Sequence, residues 1–377
     1  MASSSGDQHI PEDLIIEIVS RLPIKSLIRF RCVCKYWFGL IRTSTFVSKH
    51  LHHPNNKSCL LVHHYNYSTQ KYVFAVFPDE TLAKMPFAHN DIDEFQLPDL
   101  PDAIIGPISG IFCLFTHWED RYIVVLWNPA TKEWRSLAIP NPNLPTHIMD
   151  FLHMFGCGLD PITNDYKLIW IRYYYDEEED IPYIPRVVSV YNLRTDSWRL
   201  FEFEMMTNSS INNSLCNTYL NGFYYWLTSI DFHRYTLLSF DMSKEIFKED
   251  IPAPTGVQKD LCGDLTMYND SIAMIYFDAQ EVEKYFHVWV MKEEGFWTKQ
   301  LNIGPLPEIQ RPLGIWKNGE LFLEDSDSQL VMYDHNTQEI KSLGLRGYRS
   351  CFVIVLYKES LFSVKEVDGC EKANNSS

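Results

Sequence analysis

The sequence predicts an α+β protein of two domains, a small helical head followed by an all-β propeller of six blades. Three observations carry this. Apolar residues recur at helical spacing only over residues 10–50. From about residue 60 the chain changes to β-branched and aromatic runs separated by turn residues. One strand–turn–strand motif then returns about every 49 residues, the period of a four-stranded propeller blade.

The head comes first. In IPEDLIIEIVSRLPIKSLIRFRCVCKYWFGLIRTSTF, Leu14, Ile18 and Leu22 form one stripe. Leu27, Phe30 and Cys34 form a second, and Val33, Trp37 and Leu40 or Ile41 a third. Pro11 suits a first helical turn, where Glu12 and Asp13 meet the positive end of the dipole. Pro23 ends the first helix, and Ser26 is placed to cap a second. The pattern predicts three helices over 10–50, too few to bury all of this apolar surface unaided. The body or a partner protein must cover the rest.

The body over 51–366 is built on LWNPATKEWRSLAIP, VYNLRTDSWRLFEF, SFDMSKEIFKEDIP and MYDHNTQEIKSLGL, with weaker forms in VWVMKEEGFWTKQLNI and VFPDETLAKMPF. Asn128, Asn192, Asp241 and Asp334 occupy the first turn position, where their side chains can bond backbone two residues on. The returning strand carries a large residue, Trp134, Trp198, Phe247 or Trp297, read as a packing anchor. A second motif, NGFYYWL, NDSIAMIY and NGELFLE, places hairpin turns at Asn221, Asn269 and Asn318, 48 and 49 residues apart. The last strand, CFVIVLYKESLFSV, is free to pair into the first blade and close the ring. Residues 1–9 and 367–377 read as disordered tails.

One step in the period is long. Asn128 and Asn192 are 64 apart, and the surplus falls on RYYYDEEEDIPYIP, residues 172–185. That makes the stretch an insertion between the second and third strands of one blade, since the repeat resumes beyond it. In a propeller such loops share one face. The loops of this class (116–121, 173–186, 229–234, 277–285 and 324–328) carry a net −10. The turns of the opposite face (128–133, 192–197, 241–245, 291–295 and 334–338) carry −3. On the acidic rim, Tyr173, Tyr174, Tyr175 and Tyr183 flank Glu177, Glu178, Glu179 and Asp180, with Asp325 and Asp327 on a neighbouring loop. Aromatic anchors among acids suit recognition of a basic protein, with a solvated acidic tip as the plainer alternative.

The chain's net charge is −16, yet residues 1–50 hold seven Lys/Arg against four Asp/Glu. An acidic body argues against nonspecific binding to nucleic acid or anionic membrane. Nine cysteines without a CxxC pair, and an N-terminus without a basic-then-apolar signal, point to the cytosol, with the nucleus also open to the protein. For catalysis there is little: no G-x-S-x-G, H-E-x-x-H, P-loop or EF-hand pattern, and the pairs His52–His53 and His63–His64 point to opposite faces of a strand. No catalytic residue, metal site or cofactor is expected.

The order I-P-E-D-L…L-P-x-K-S-L-x-R-F-x-x-V-C-K-x-W-x-x-L-I closely resembles a plant F-box, departing only at Ile10, where many carry leucine. NPATKEWR, FGCGLDPITNDYKL, SFDMSKEIF, PLGIWKNGELFL and VLYKESLFSVK look like the kelch-like F-box-associated domain of plant S-locus F-box proteins. This resemblance implies a non-catalytic substrate receptor of a SKP–cullin–F-box ubiquitin ligase. It implies that the head docks a SKP-type adaptor, and through it cullin and RING subunits. The residues carried over to the adaptor face are Pro11, Leu14, Ile18, Leu22, Pro23, Leu27, Val33 and Trp37. The implied target is a protein, with S-RNase a candidate and an immune regulator an alternative. A propeller that binds protein or sugar outside any ligase is the competing class.

Overall fold

The computed structural model describes residues 10–66, 69–78, 93–95, 101, 103–118, 121–140, 145, 147–178, 181–204, 210–212, 218–230, 234–255, 261–316, 318–347 and 352–365. The tails read as disordered, 1–9 and 367–377, lie outside these residues.

The head has four helices rather than three: α1 (Glu12–Val19), α2 (Ile24–Phe30), α3 (Lys35–Arg42) and α4 (Ser44–Leu51). Pro11 and Pro23 stand at the N-caps of α1 and α2. Helix α4 escaped the pattern because it follows α3 after one residue. Thr43 accepts the Phe46 N–H on Oγ1 at 3.3 Å and donates to the Leu40 carbonyl at 2.9 Å, so it closes one helix and caps the next. Phe46, Val47 and His50 of α4 are buried.

Six antiparallel sheets follow. The first holds β1 (Cys59–Asn66), β2 (Lys71–Phe77) and β3 (Asp93–Phe95). The second is β4 (Ala103–Ile108), β5 (Ile111–Trp118), β6 (Arg121–Asn128) and β7 (Glu133–Leu137). The third is β8 (Ile148–Leu159), β9 (Tyr166–Asp176), β10 (Ile181–Asn192) and β11 (Ser197–Phe203). In the fourth, β12 (Ser210–Asn212) and β13 (Tyr219–Leu220) both pair with β14 (Phe223–Ile230), followed by β15 (Arg234–Asp241) and β16 (Ile246–Pro252). The fifth is β17 (Cys262–Tyr268), β18 (Ser271–Phe277), β19 (Lys284–Glu293) and β20 (Phe296–Leu306). The sixth is β21 (Ile309–Ile315), β22 (Leu321–Asp325), β23 (Gln329–Asp334) and β24 (Glu339–Arg346). Finally β25 (Val353–Tyr357) pairs with β1, from Cys59 opposite Tyr357 to His63 opposite Val353. The C-terminal strand thus becomes the first strand of the first blade and closes the ring, as the sequence predicts.

The core is divided among six seams, one between each pair of adjacent blades. Each blade is apolar on both faces, so no blade can fold far from its neighbours. The seam between sheets six and one, with Leu60, Val62, Phe77, Phe322 and Ile354, is as apolar as the rest.

Turn chemistry sets the period. Asn221–Gly222 and Asn269–Asp270 both have positive φ at the two central positions, the backbone that a two-residue hairpin requires. Asn128, Asp241 and Asp334 accept N–H groups two residues on at 2.8–3.0 Å. At Asn192 the turn is held differently, with the Arg194 N–H donating to Asp165 Oδ1 at 2.9 Å. Trp198 packs on Tyr191 and Trp170, Phe247 on Phe203 and Phe240, and Trp297 donates to the Pro252 carbonyl at 2.7 Å. Trp134 is the exception at 61% exposed. It stands on the outward side of the five-residue β7, so the packing-anchor reading fails there.

Candidate functional site

In each blade the strands alternate in direction, so the turns between second and third strands open on one face and those between third and fourth on the other. The head sits on the second of these faces, where Ala130 of the β6–β7 turn packs into the head's core. The acidic loops therefore open away from the head.

On the head, α1 divides its apolar residues between two sides. Val19 is buried and Ile15 and Ile16 pack inward, whereas Leu14 and Ile18, one turn apart, are more than half exposed. Pro11 and Pro23 are exposed, and Val33, in the turn before α3, is 68% exposed. A Tyr36–Glu12 hydrogen bond of 3.4 Å ties the start of α3 to the start of α1. Of the eight residues carried to the adaptor face, five are thus on the surface. The other three are not: Leu27 is 0% exposed, while Leu22 and Trp37 are half-buried against the head's core, Trp37 with its ring 5.6 Å from Phe30. Those three shape the surface from beneath. Ile10, Tyr36 and Phe38 are further exposed apolar residues of the head, outside the set that the resemblance implies. Only one of three successive aromatics on a helix can face inward, which was the available signal for Tyr36 and Phe38.

On the opposite face, the inserted stretch is not a loop for most of its length. It lengthens the hairpin: β9 and β10 run to 11 and 12 residues, against 8 each for β5 and β6 of the preceding blade. Tyr183 pairs with Tyr174, Pro182 with Tyr175 and Ile181 with Asp176, and β8 extends alongside to pair Met149 with Tyr175. Arg172 anchors the base, buried and stacked over Trp170 at 4.6 Å, donating to the Pro140 carbonyl at 3.1 Å and to Ser189 Oγ at 2.8 Å. At the tip the Glu177 N–H donates to the His147 carbonyl at 3.1 Å, and Asp176 Oδ1 accepts the Glu178 N–H at 3.0 Å. The His147 ring lies 3.9 Å from Asp176 and 3.8 Å from Glu178.

These contacts sort the predicted target residues. Tyr174 is only 4% exposed and packs with Ile148 and Val187, so it supports the hairpin and is not offered to a target. Tyr173 and Tyr175 are half-buried, and Glu177 and Glu178 are exposed. Glu179, Asp180 and the side chain of Tyr183 lie outside the described residues. Asp325 Oδ1 accepts the Asp327 and Gln329 N–H groups at 3.0 and 2.8 Å, which gives it a turn-forming role, whereas Asp327 is exposed. The rim also bears apolar residues that charge counting passed over. Met149 and Tyr285 are exposed, and Val282 is 82% exposed between Glu281 and Glu283. Buried Lys284 donates to the Ala279 carbonyl at 2.8 Å and to that of Glu281, holding this loop in shape.

The chain is thus a closed ring with a helical module on one face and an acidic, aromatic rim on the other. Residues 8–49 match the F-box domain, and residues 108–375 match the F-box associated beta propeller domain. The second match alone spans well over half of the chain, which therefore belongs to that family. Two Arabidopsis thaliana relatives run nearly end to end with it. An F-box/kelch-repeat protein is 27% identical over 365 residues, covering 86% of this chain and 88% of its own. An F-box protein is 27% identical over 409 residues, covering 94% and 92%. An F-box joined to a propeller serves substrate recognition in SKP–cullin–F-box ligases. The F-box takes a SKP-type adaptor, and the propeller takes a protein target.

Proposed function

We propose that this chain binds its target through the acidic rim of blades three, five and six, on the face turned away from the adaptor. One observation carries this reading: the exposed apolar residues of the head and the exposed acidic and aromatic residues of the rim lie on opposite sides of one closed ring. A target held there is presented to the ubiquitin carrier without competing with the adaptor for surface. The subunit contributes positioning, for which a receptor needs no catalytic group.

The rim's chemistry selects a basic protein surface. Carboxylates of Glu177, Glu178, Glu281, Glu283 and Asp327 steer it, while Tyr175, Met149, Val282 and Tyr285 give it apolar purchase. An S-RNase is one protein of that character, suggested by the S-locus resemblance alone. The cytosol, or the nucleus, is the setting that free cysteines such as Cys32 and Cys34 favour.

The rim is tested by neutralising its hairpin. Glu177→Gln and Glu178→Gln, with Glu179→Gln and Asp180→Asn, should slow association with a captured target by roughly tenfold at low salt, with little change in dissociation. The slope of association rate against salt should flatten as well. Unaltered kinetics at every salt concentration would exclude the rim.

A further inference from the structure

Beyond β25 the chain runs without regular structure from Lys358 to Lys365, across the head-facing side of the ring. Three of its side chains are inside. Ser360 is 0% exposed, Leu361 1% and Val364 0%. They are inside different bodies. Leu361 completes the core of the head among Val19, Ile24, Leu27, Ile41 and Phe46. Val364 belongs to the seam between blades two and three, with Leu126, Leu137 and Leu193, and Phe362 touches both clusters.

Polar groups from both bodies converge on the same few peptide units. Fully buried Asn128, from the second blade, donates to the Ser360 carbonyl at 3.0 Å and the Phe362 carbonyl at 2.7 Å. Arg31, just past α2, donates to the Leu361 carbonyl at 3.2 Å and lies 3.8 Å from Glu133. Glu133 in turn accepts the Val364 N–H at 3.3 Å. Asn56, between head and ring, donates to the Glu359 carbonyl at 2.9 Å. Gly110 leaves the segment room, since a Cβ there would meet Ser360 Cβ at 2.4 Å. On either side of this segment the head and ring stand apart across clefts of about 630 and 310 Å³. The first runs between Arg42, Val47 and Leu51 of the head and Ser109, Leu159 and Arg194 of the ring.

We propose that Glu359–Val364 is the joint that fixes the angle between the head and the propeller, and so sets where a bound target stands relative to the ligase. A peptide segment bonded from both bodies, with one side chain in each core, removes the freedom that a flexible linker would leave. The fixed angle stands on these contacts alone. Its consequence for ubiquitin transfer rests on the receptor reading given above.

The test uses the full chain with two dyes attached through bioorthogonal amino acids, one replacing Lys25 on the head and one replacing Glu293 on the ring, both exposed sites. The intact chain should give one narrow distribution of energy transfer between single pairs. Leu361→Ser withdraws a side chain from the head's core. Arg31→Ala removes the bonds to Leu361 and Glu133 while leaving both cores intact, and is read where Leu361→Ser unfolds the head. Each variant should at least double the width of the distribution. Widths equal to that of the intact chain, with the ring still folded by far-UV circular dichroism, would overturn the joint. In a ligase reconstituted with a SKP-type adaptor, cullin and RING subunits, Arg31→Ala should keep adaptor binding and spread self-ubiquitination over more propeller lysines. An unchanged lysine pattern would overturn the positioning role. Failure of the intact chain to bind the adaptor would instead strike the receptor reading and leave the dye measurement standing.

Discussion

Lys167→Ala should destabilise the propeller by about 3–5 kcal/mol at pH 7, the cost of removing one partner from a buried ion pair. Lys167 is 5% exposed in the seam between blades three and four. Its Nζ donates to the Met242 carbonyl at 2.6 Å and to Glu245 Oε1 at 2.8 Å, and lies 3.2 Å from Asp160 Oδ2. Burial by itself would raise the Asp160 carboxyl, but hydrogen bonds from Ser243 and from the Ile162 and Thr163 backbone outweigh it and hold the group well below the usual carboxylate range. Glu245, also opposed by burial, is lowered by hydrogen bonds from Lys167 and Arg199. Both folded values lie below the unfolded ones. Their contribution is therefore complete above the unfolded carboxylate range, at about pH 4–4.5. It is lost as pH falls through the lower folded values. The variant should show its full deficit in urea midpoint near neutrality, and a smaller one once the pH is low enough to protonate Glu245, the carboxylate that Lys167 itself lowers. A deficit that does not depend on pH would mean that Lys167 acts through packing alone.

The second large effect falls on the head. Leu14→Asp together with Ile18→Asp should weaken binding to a SKP-type adaptor by at least about a hundredfold, since two exposed apolar anchors are lost and two charges are desolvated. Both side chains are more than half exposed, so thermal unfolding of the chain should hardly move. Titration calorimetry with purified adaptor measures the first quantity, and circular dichroism the second. Trp37→Asp is a poorer probe, because Trp37 packs against Phe30 and the charge would disturb the head itself.

The ring was legible because each blade repeats its turn chemistry in a short stretch of chain. Asn221–Gly222 and Asn269–Asp270 can adopt positive φ cheaply, and the Asx turns at Asn128, Asp241 and Asp334 are closed by neighbours two residues away. Local rules therefore reported a global period. The same rules misjudged the inserted hairpin. Its acids read as a loop, but tyrosine favours strands, and β8 lies alongside to pair with it. Helix α4 was hidden because it follows α3 after a single residue, and its buried Phe46 and Val47 find their partners elsewhere in the head.

What joins distant parts of the chain could not be read locally at all. Lys167 meets Glu245 across 78 residues, and Arg31 meets Leu361 across 330. No spacing rule spans such separations. The adaptor face was legible only as a set of residue types. Leu14 and Leu27 carry the same side chain, and only the packed structure shows that the first is exposed and the second enclosed.

The central claim is that one end of the chain holds the ligase while the other holds the target. Its most direct test is capture from native plant tissue with the proteasome blocked, using the intact chain and the Leu14→Asp, Ile18→Asp variant in parallel. A protein should be recovered with both, and carry ubiquitin chains only in the presence of the intact form. Equal ubiquitination of the captured protein by the two forms would contradict the account.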